Sequence, residues 1–392
     1  MNIPSNLPLI PLSEPYLAGN EWAYVKDCLD TGWVSSAGRY VERFEADFAK
    51  YLGCNHAVST VNGTAALQLA LLATGVAPDD EVLVSTLTFI ASANAIRYAG
   101  AWPVFIDAES DYWQMDTWLV RDFLQEHCHL VNGKLRNRSS GRRIGALLPV
   151  HILGHPVDLD PLIELSEEYG IPLIEDATES LGSTYKERNT GTFGHVACFS
   201  FNGNKLITTG GGGMVVTNST DIAERIRHLS TQAKTDPIEY RHDEIGFNYR
   251  LTNIQAAMGC AQLENIGNHV ASKRKIFKTY NAALADIDGI TIMREAEWAK
   301  SACWMYTMLV DQNRFGMDSR TLLCRLAEHG IQTRPLWEPI HRSLAHRDSA
   351  AVHGNIAEQL FRSALSLPCS VGLVEQQQNK VIAVLKEIAT KN

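Results

Sequence analysis

Two residues in this chain stand out as able to do chemistry: an acid at the end of one apolar run and an amine just past another. Ile171-Pro172-Leu173-Ile174-Glu175-Asp176 reads as a short buried strand ending in a carboxylate. Ala197-Cys198-Phe199-Ser200-Phe201 reads as a second strand, which empties through Asn202-Gly203-Asn204 into Lys205. Four glycines, Gly210 to Gly213, follow almost at once. A lysine amine condenses with an aldehyde to form a Schiff base. A carboxylate beside a pyridine nitrogen keeps that nitrogen protonated, so the ring draws electrons. Together they are what pyridoxal phosphate (PLP) asks of a protein.

Other residues could complete such a site. Asn62-Gly63-Thr64-Ala65-Ala66 lies between the strand-like Ala57-Val58-Ser59-Thr60 and a helical pattern from Thr64 to Thr74. A helix start opened by Gly and Thr offers free amides and a hydroxyl to a phosphate, and the same residues also serve as a plain helix cap. Phe89 follows a strand end, where its ring could stack on a flat ligand or pack into the core. Ser200, five residues before Lys205, could reach a phosphate or bond to backbone.

These residues need a frame. Helical spacing runs from Arg39 to Leu52, with Val41, Phe44, Phe48, Tyr51 and Leu52 on one face, and stops at Gly53. Apolar strand candidates lie at 82–85, 103–106, 144–150, 171–175, 196–201 and 214–217, with helical stretches near 90–99, 159–169 and 221–229. Near-continuous apolar strands alternating with helices predict an α/β chain with a mainly parallel sheet covered on both faces. The polar run 131–143 reads as a solvated loop. From Asn253 a helical pattern extends to about Ala285, dividing a large domain (1–252) from a smaller one (253–392). The latter carries a strand at 305–310, a helix at 318–329, a strand near 331–334 and two further helices.

Composition narrows the classes. The 392 residues are 45% hydrophobic and 20% charged, ordinary for a globular enzyme, and the net charge of −9 disfavours nucleic acid and anionic membranes as partners. No run approaches a membrane span, and Met-Asn-Ile-Pro-Ser-Asn lacks the start of a signal peptide. Eight cysteines without a CxxC pair suit reduced thiols in a cytoplasm. The glycine run is neither GxxxxGK[ST] nor GxGxxG, and GxSxG is absent. His151 and His155 have zinc-helix spacing, but Gly154 and Pro156 interrupt any helix. His127-Cys128-His129 lacks a further ligand, so no metal is expected.

With Asp176, Ser200 and Lys205 in place, the chain resembles the DegT/DnrJ/EryC1/StrS aminotransferases, PLP-dependent sugar enzymes of fold type I. The resemblance runs from Ile10-Pro11-Leu12-Ser13 through Gly32-Trp33-Val34-Ser35-Ser36, Asn62 to Leu67, Glu175-Asp176-Ala177, Ser200 to Lys205 and Gly246 to Leu251, ending near Thr333-Arg334-Pro335-Leu336. It implies a mainly parallel seven-stranded sheet flanked by helices, plus a smaller α+β C-terminal domain. It further implies that Lys205 binds the cofactor aldehyde and Asp176 partners the pyridine nitrogen. Gly63, Thr64 and Ser200 would hold the phosphate, and Phe89 would stack on the ring. Asn248 would reach the site of a second subunit in a homodimer, with residues 1–35 helping to form the site. Glu179 stands where many members carry Gln, close to the phenolic oxygen. Trp33, Ser35, His155, Arg188, Trp304, Tyr306 and Arg334 are the candidate nucleotide-sugar contacts.

The expected reaction moves an amino group from L-glutamate to a keto sugar, since relatives that dehydrate carry His in place of this lysine. Asp176-Ala177-Thr178-Glu179-Ser180, Thr208 to Gly213 and Ser230 to Lys234 resemble a subgroup that aminates C4 of UDP-linked 4-keto-6-deoxy-N-acetylhexosamines. The alternatives are GDP- or dTDP-linked keto sugars, aminated at C4 or C3, or a non-catalytic regulatory relative.

Overall fold

The structure is a computed structural model that describes residues 8–236 and 238–390, so the first seven residues of the expected site-forming segment 1–35 lie outside it. Its centre is a sheet in the order His56–Thr60, Gly213–Thr217, Val196–Ser200, Ile174–Asp176, Ile144–Leu148, Glu81–Ser85, Trp102–Ile106. Two four-stranded ladders meet through the parallel bridges Leu147↔Leu173 and Val150↔Asp176. Only Gly213–Thr217 runs against the others. A short edge strand from the C-terminal part, Ala350–Val352, adds in parallel to Trp102–Ile106.

The strands read as unbroken apolar runs because both faces are covered. In Val196–Ser200, Val196 and Cys198 enter the core beneath helices Gly63–Ala73 and Thr220–Ser230, while Ala197 and Phe199 enter the opposite one. That second core is an aromatic stack. Phe48 lies 5.2 Å from Phe199 and 5.5 Å from Phe201, and Phe44 lies 5.1 Å from Phe201. Helix Arg39–Leu52 supplies Phe44 and Phe48, so its predicted apolar face is the one it buries.

Parallel pairing gathers strand ends on one side. The register sets Cys198 opposite Asp176, so the segments carrying Asp176 and Lys205 leave neighbouring strands side by side. Beyond the strand end, Phe201 N–H donates to Gly212 O and Thr209 N–H to Phe201 O, folding the glycine run back against it.

Three expectations change, and one helix is additional. The long helix is two, Asn253–Glu264 and Ile266–Leu284, meeting at Asn265. The first packs against helices Glu21–Thr31 and Arg39–Leu52, so the chain turns into its C-terminal part only after Asn265. Polar residues 131–143 contribute to a hairpin of Cys128–Val131 and Lys134–Asn137, and Arg143 pairs with Asp80. Residues 331–334 make isolated bridges, Ile10↔Ile331 and Arg334↔Ser366, rather than a strand. Helix Glu21–Thr31 was not foreseen, because it buries only Glu21 and Cys28 and leaves Trp22 and Leu29 exposed. No helix among the described residues is long and apolar enough to cross a membrane.

Two features hold the strand ends in place. Glu175 is fully buried and accepts from the amides of Gly191, Phe193 and Gly194 at 2.7, 2.8 and 2.7 Å, with His151 Nε2 3.1 Å away. Burial pushes its carboxyl up, but His151 and the backbone donors outweigh this and hold it below the ordinary value. Gly213 is the second: a Cβ there would lie 2.6 Å from Asn62 C and O and 2.8 Å from Gly63 N.

Gly213→Ala therefore displaces the Asn62-Gly63 turn. A loss of ~1–3 kcal/mol is expected, read as a lower melting temperature. Glu175→Gln should cost ~3–5 kcal/mol at pH 7 by urea denaturation. Because its folded-state pKa is lowered, Glu175 stabilises the fold above the unfolded carboxylate value of roughly 4.3. That contribution drains away as pH falls through the folded value. The gap between the two proteins should therefore narrow on acidification; a pH-independent gap contradicts this role.

Candidate active site

At the carboxyl ends of the strands a cavity of about 270 Å³ is bounded by Asn62-Gly63-Thr64, Thr88-Phe89, Ala91-Ser92, Asp176, Ser200 and Lys205. Lys205 enters from the turn after Val196–Ser200, where its N–H donates to Asn202 O at 3.0 Å. Its Nζ lies 3.4 Å from Glu179 Oε1 and 4.1 Å from the centroid of the Trp304 ring. The ammonium is thus held between a carboxyl oxygen and an aromatic face. Trp304 is itself fixed, donating from Nε1 to Asn204 O at 2.8 Å and lying parallel to Trp337 at 6.5 Å.

Asp176 is buried and serves as an acceptor. Ser92 Oγ donates to its Oδ2 at 2.7 Å and Thr178 N–H to its Oδ1 at 3.2 Å. A carboxylate has about four acceptor positions, so each oxygen keeps one for a ring N–H. Glu179 is also buried, and Leu153 N–H donates to its Oε2 at 2.9 Å. Leu153 has φ 60°, a left-handed conformation rare for leucine, which aims that amide at Glu179. Burial pushes the Glu179 carboxyl above its ordinary value, with Lys205 partly offsetting the rise.

The helix Gly63–Ala73 points its N-terminus at the cavity. Asn62 caps it, accepting from Ala65 N–H at 2.8 Å, while the first-turn amides of Gly63 and Thr64 have no intrahelical carbonyl to take. The helix-cap reading holds, and the cap leaves those two amides available to a phosphate. Gly63 is required by space, since a Cβ would come 2.9 Å from Ser200 Cβ. Phe89 is 55% exposed on the cavity wall, which removes core packing as its role.

These residues fit PLP: an unblocked helix start and hydroxyls for a phosphate, an exposed ring for stacking, an acceptor for a ring nitrogen and an amine for an aldehyde. Ser92, Thr178 and Trp337 also line the cavity and were missed in sequence. Ser92 lies three residues past Phe89 and Trp337 three past Arg334, close to positions already marked.

The expected sugar contacts divide. Trp304 lines the cavity. His155 does not: it is buried, Nδ1 faces Pro156 O at 2.8 Å, and Nε2 accepts from Ala296 N–H at 3.1 Å. Tyr306 is core, 4.7 Å from Tyr280, with its hydroxyl on Asn281 Oδ1. Arg188 covers the Phe193 ring at 4.3 Å and donates to Thr192 O. Arg334 is exposed and donates to Thr333 O. Trp33 and Ser35 are exposed, and their carbonyls accept from Asn253. Asn248 is exposed outside its own protomer's cavity. Neither histidine pair assembles a metal site. The one cluster of candidate ligands among the described residues is His228, Asp243 and Glu244, where Glu244 is paired with Arg225.

Comparison with known proteins agrees with this geometry. GDP-perosamine synthase of Caulobacter vibrioides is 38% identical, over 98% of this chain and 99% of that one. The dTDP-3-amino-3,4,6-trideoxy-alpha-D-glucose transaminase of Streptomyces venezuelae is 34% identical, over 91% and 90%. The crystal structure of S. venezuelae DesV superposes with a TM-score of 0.84 at 33% identity, covering 94% of each chain. The family model for the DegT/DnrJ/EryC1/StrS aminotransferases matches residues 15–386. The chain belongs to the DegT/DnrJ/EryC1/StrS aminotransferase family, whose members depend on PLP.

Proposed function

We propose that this enzyme transfers the amino group of L-glutamate to C4 of a UDP-linked 4-keto-6-deoxy-N-acetylhexosamine, for amino-sugar synthesis in surface glycans. The observation that carries the transamination reading is the Lys205 amine inside a cavity that also holds Asp176 and the Gly63 helix start. The subgroup-like segments Asp176 to Ser180 and Thr208 to Gly213 support the UDP sugar. A GDP-linked 4-keto-6-deoxymannose is the second reading, supported by the 38% identical GDP-perosamine synthase.

Bound PLP supplies the electron sink that lets a proton leave the carbon bearing nitrogen. The chain's own residues do the rest. Gly63, Thr64 and Ser200 hold the phosphate, Phe89 covers the ring, and Asp176 accepts from the ring nitrogen. Lys205 Nζ carries the proton off the donor carbon and onto the sugar carbon. Glu179 holds the ammonium between those transfers, and Trp304 with Trp337 shields the amine from water.

The exposed apolar side chains Trp22, Leu29, Trp33 and Val34 support a homodimer, in which Asn248 and the segment around Ser35 serve the partner's site. Eight free cysteines, six of them buried, suit a cytoplasmic enzyme.

Lys205→Ala should lower transamination by at least ~10³-fold and abolish the borohydride-fixed cofactor adduct. Full activity in that variant overturns the mechanism. Product mass with UDP-, GDP- and dTDP-linked keto sugars and glutamate identifies the substrate; amination of the GDP sugar alone removes the UDP reading. Glu179 pairs with the Lys205 ammonium once that amine is released from the cofactor, so kcat should climb with pH through a carboxyl value above the ordinary range. Glu179→Gln should flatten that limb, and an unchanged profile removes Glu179 from the proton path.

A further inference from the structure

Behind the Trp304 wall lies a second cavity, of about 650 Å³, between helix Ile266–Leu284 and residues 293–303. Its surroundings are strongly cationic for a chain of net charge −9. Lys275 and Lys278, one helical turn apart, share the lining with Arg294, and among the described residues no ion pair joins a carboxylate to any of the three. The acid in the lining is already committed. Glu295 accepts from Arg274 Nη1 and Nη2 at 2.7 and 3.1 Å, and from Ser301 N–H at 2.6 Å. The base is neutral, because burial pushes His155 down to about 4 and its ring nitrogens are both engaged.

The lining is mixed in a way that suits one class of molecule. Phe277 and Met293 give an apolar patch, Asn281 gives an amide, and the three cations sit at the exposed rim. Unpaired like charges around a cavity repel one another, and a bound anion relieves that more fully than solvent screening does. A cavity of several hundred Å³ with apolar walls and a few polar groups is of a size for an organic ligand. We propose that this cavity is a second ligand site, which binds a nucleoside diphosphate group with its phosphates on Lys275, Lys278 and Arg294 and its base over Phe277 and Met293. Free nucleoside diphosphate and a nucleotide sugar share that group. The site goes beyond the reading of the Lys205 cavity and does not depend on which sugar is aminated.

The test is calorimetric titration of the holoenzyme with UDP, GDP, UDP-N-acetylglucosamine, inorganic pyrophosphate and, as an uncharged control, uridine. Wild type is compared with Lys275→Glu/Lys278→Glu/Arg294→Glu and with Arg294→Glu alone. These are exposed positions outside the Lys205 cavity, so cofactor absorbance and basal transamination should stay as in wild type. The expected result is a salt-sensitive site for UDP or GDP whose Kd rises at least tenfold in both variants, with uridine bound far more weakly. Equal affinity for UDP and UDP-N-acetylglucosamine there marks the shared diphosphate as the determinant; preference for one identifies the source. Identical nucleotide stoichiometry and Kd in wild type and the triple variant, or uridine binding as tightly as UDP, overturns the proposal.

Discussion

The parallel pairing of Val196–Ser200 with Ile174–Asp176 is the constraint on which the site depends. It fixes Cys198 beside Asp176, and Glu179, Ser200 and Lys205 follow within a few residues of those strand ends. Slipping the register by one residue would turn Asp176 and Ser200 to the other face of the sheet. The register is secured from both sides, by Val196 and Cys198 in one core and Ala197 and Phe199 in the other. Glu175 pins the next segment by gathering three backbone amides onto one buried carboxylate.

Lys205 is likewise linked to more distant parts of the fold. Glu179 touches Lys205 through one oxygen and Leu153 N–H through the other. Beyond Leu153, Gly154 O accepts from Ser183 Oγ at 2.6 Å and from Ser301 Oγ at 2.8 Å. Residues 301–304 in turn carry Cys303 to one cavity and Trp304 to the other. Lys273, buried on the long helix, donates from Nζ to Trp304 O at 2.8 Å. The aromatic wall over Lys205 is therefore held from behind by a helix that contributes nothing to the cavity itself.

Much of this was legible in the sequence because it is written by burial. Strands covered on both faces appear as unbroken apolar runs, and their ends mark where Asp176 and Lys205 must emerge. Gly63 and Gly213 could be flagged, but why they must lack a side chain depends on the strand and turn that face them. His155 and Tyr306 lie buried behind the aromatic wall, away from the Lys205 cavity. Their chemistry suits a nucleotide sugar, yet sequence holds no record of the side of the wall on which a residue falls. The break at Asn265 was hidden because both halves keep helical spacing. The hairpin near residue 130 was hidden because its strands are too polar to announce themselves.

The cavity's two tryptophans come from residues 304 and 337, while its floor is laid down between residues 62 and 212. A ribosome making this chain therefore completes the floor long before the wall. Until Trp337 has left the exit tunnel, Lys205 is without its full aromatic shield. The growing chain spends that interval with Lys205 open to any aldehyde in its surroundings.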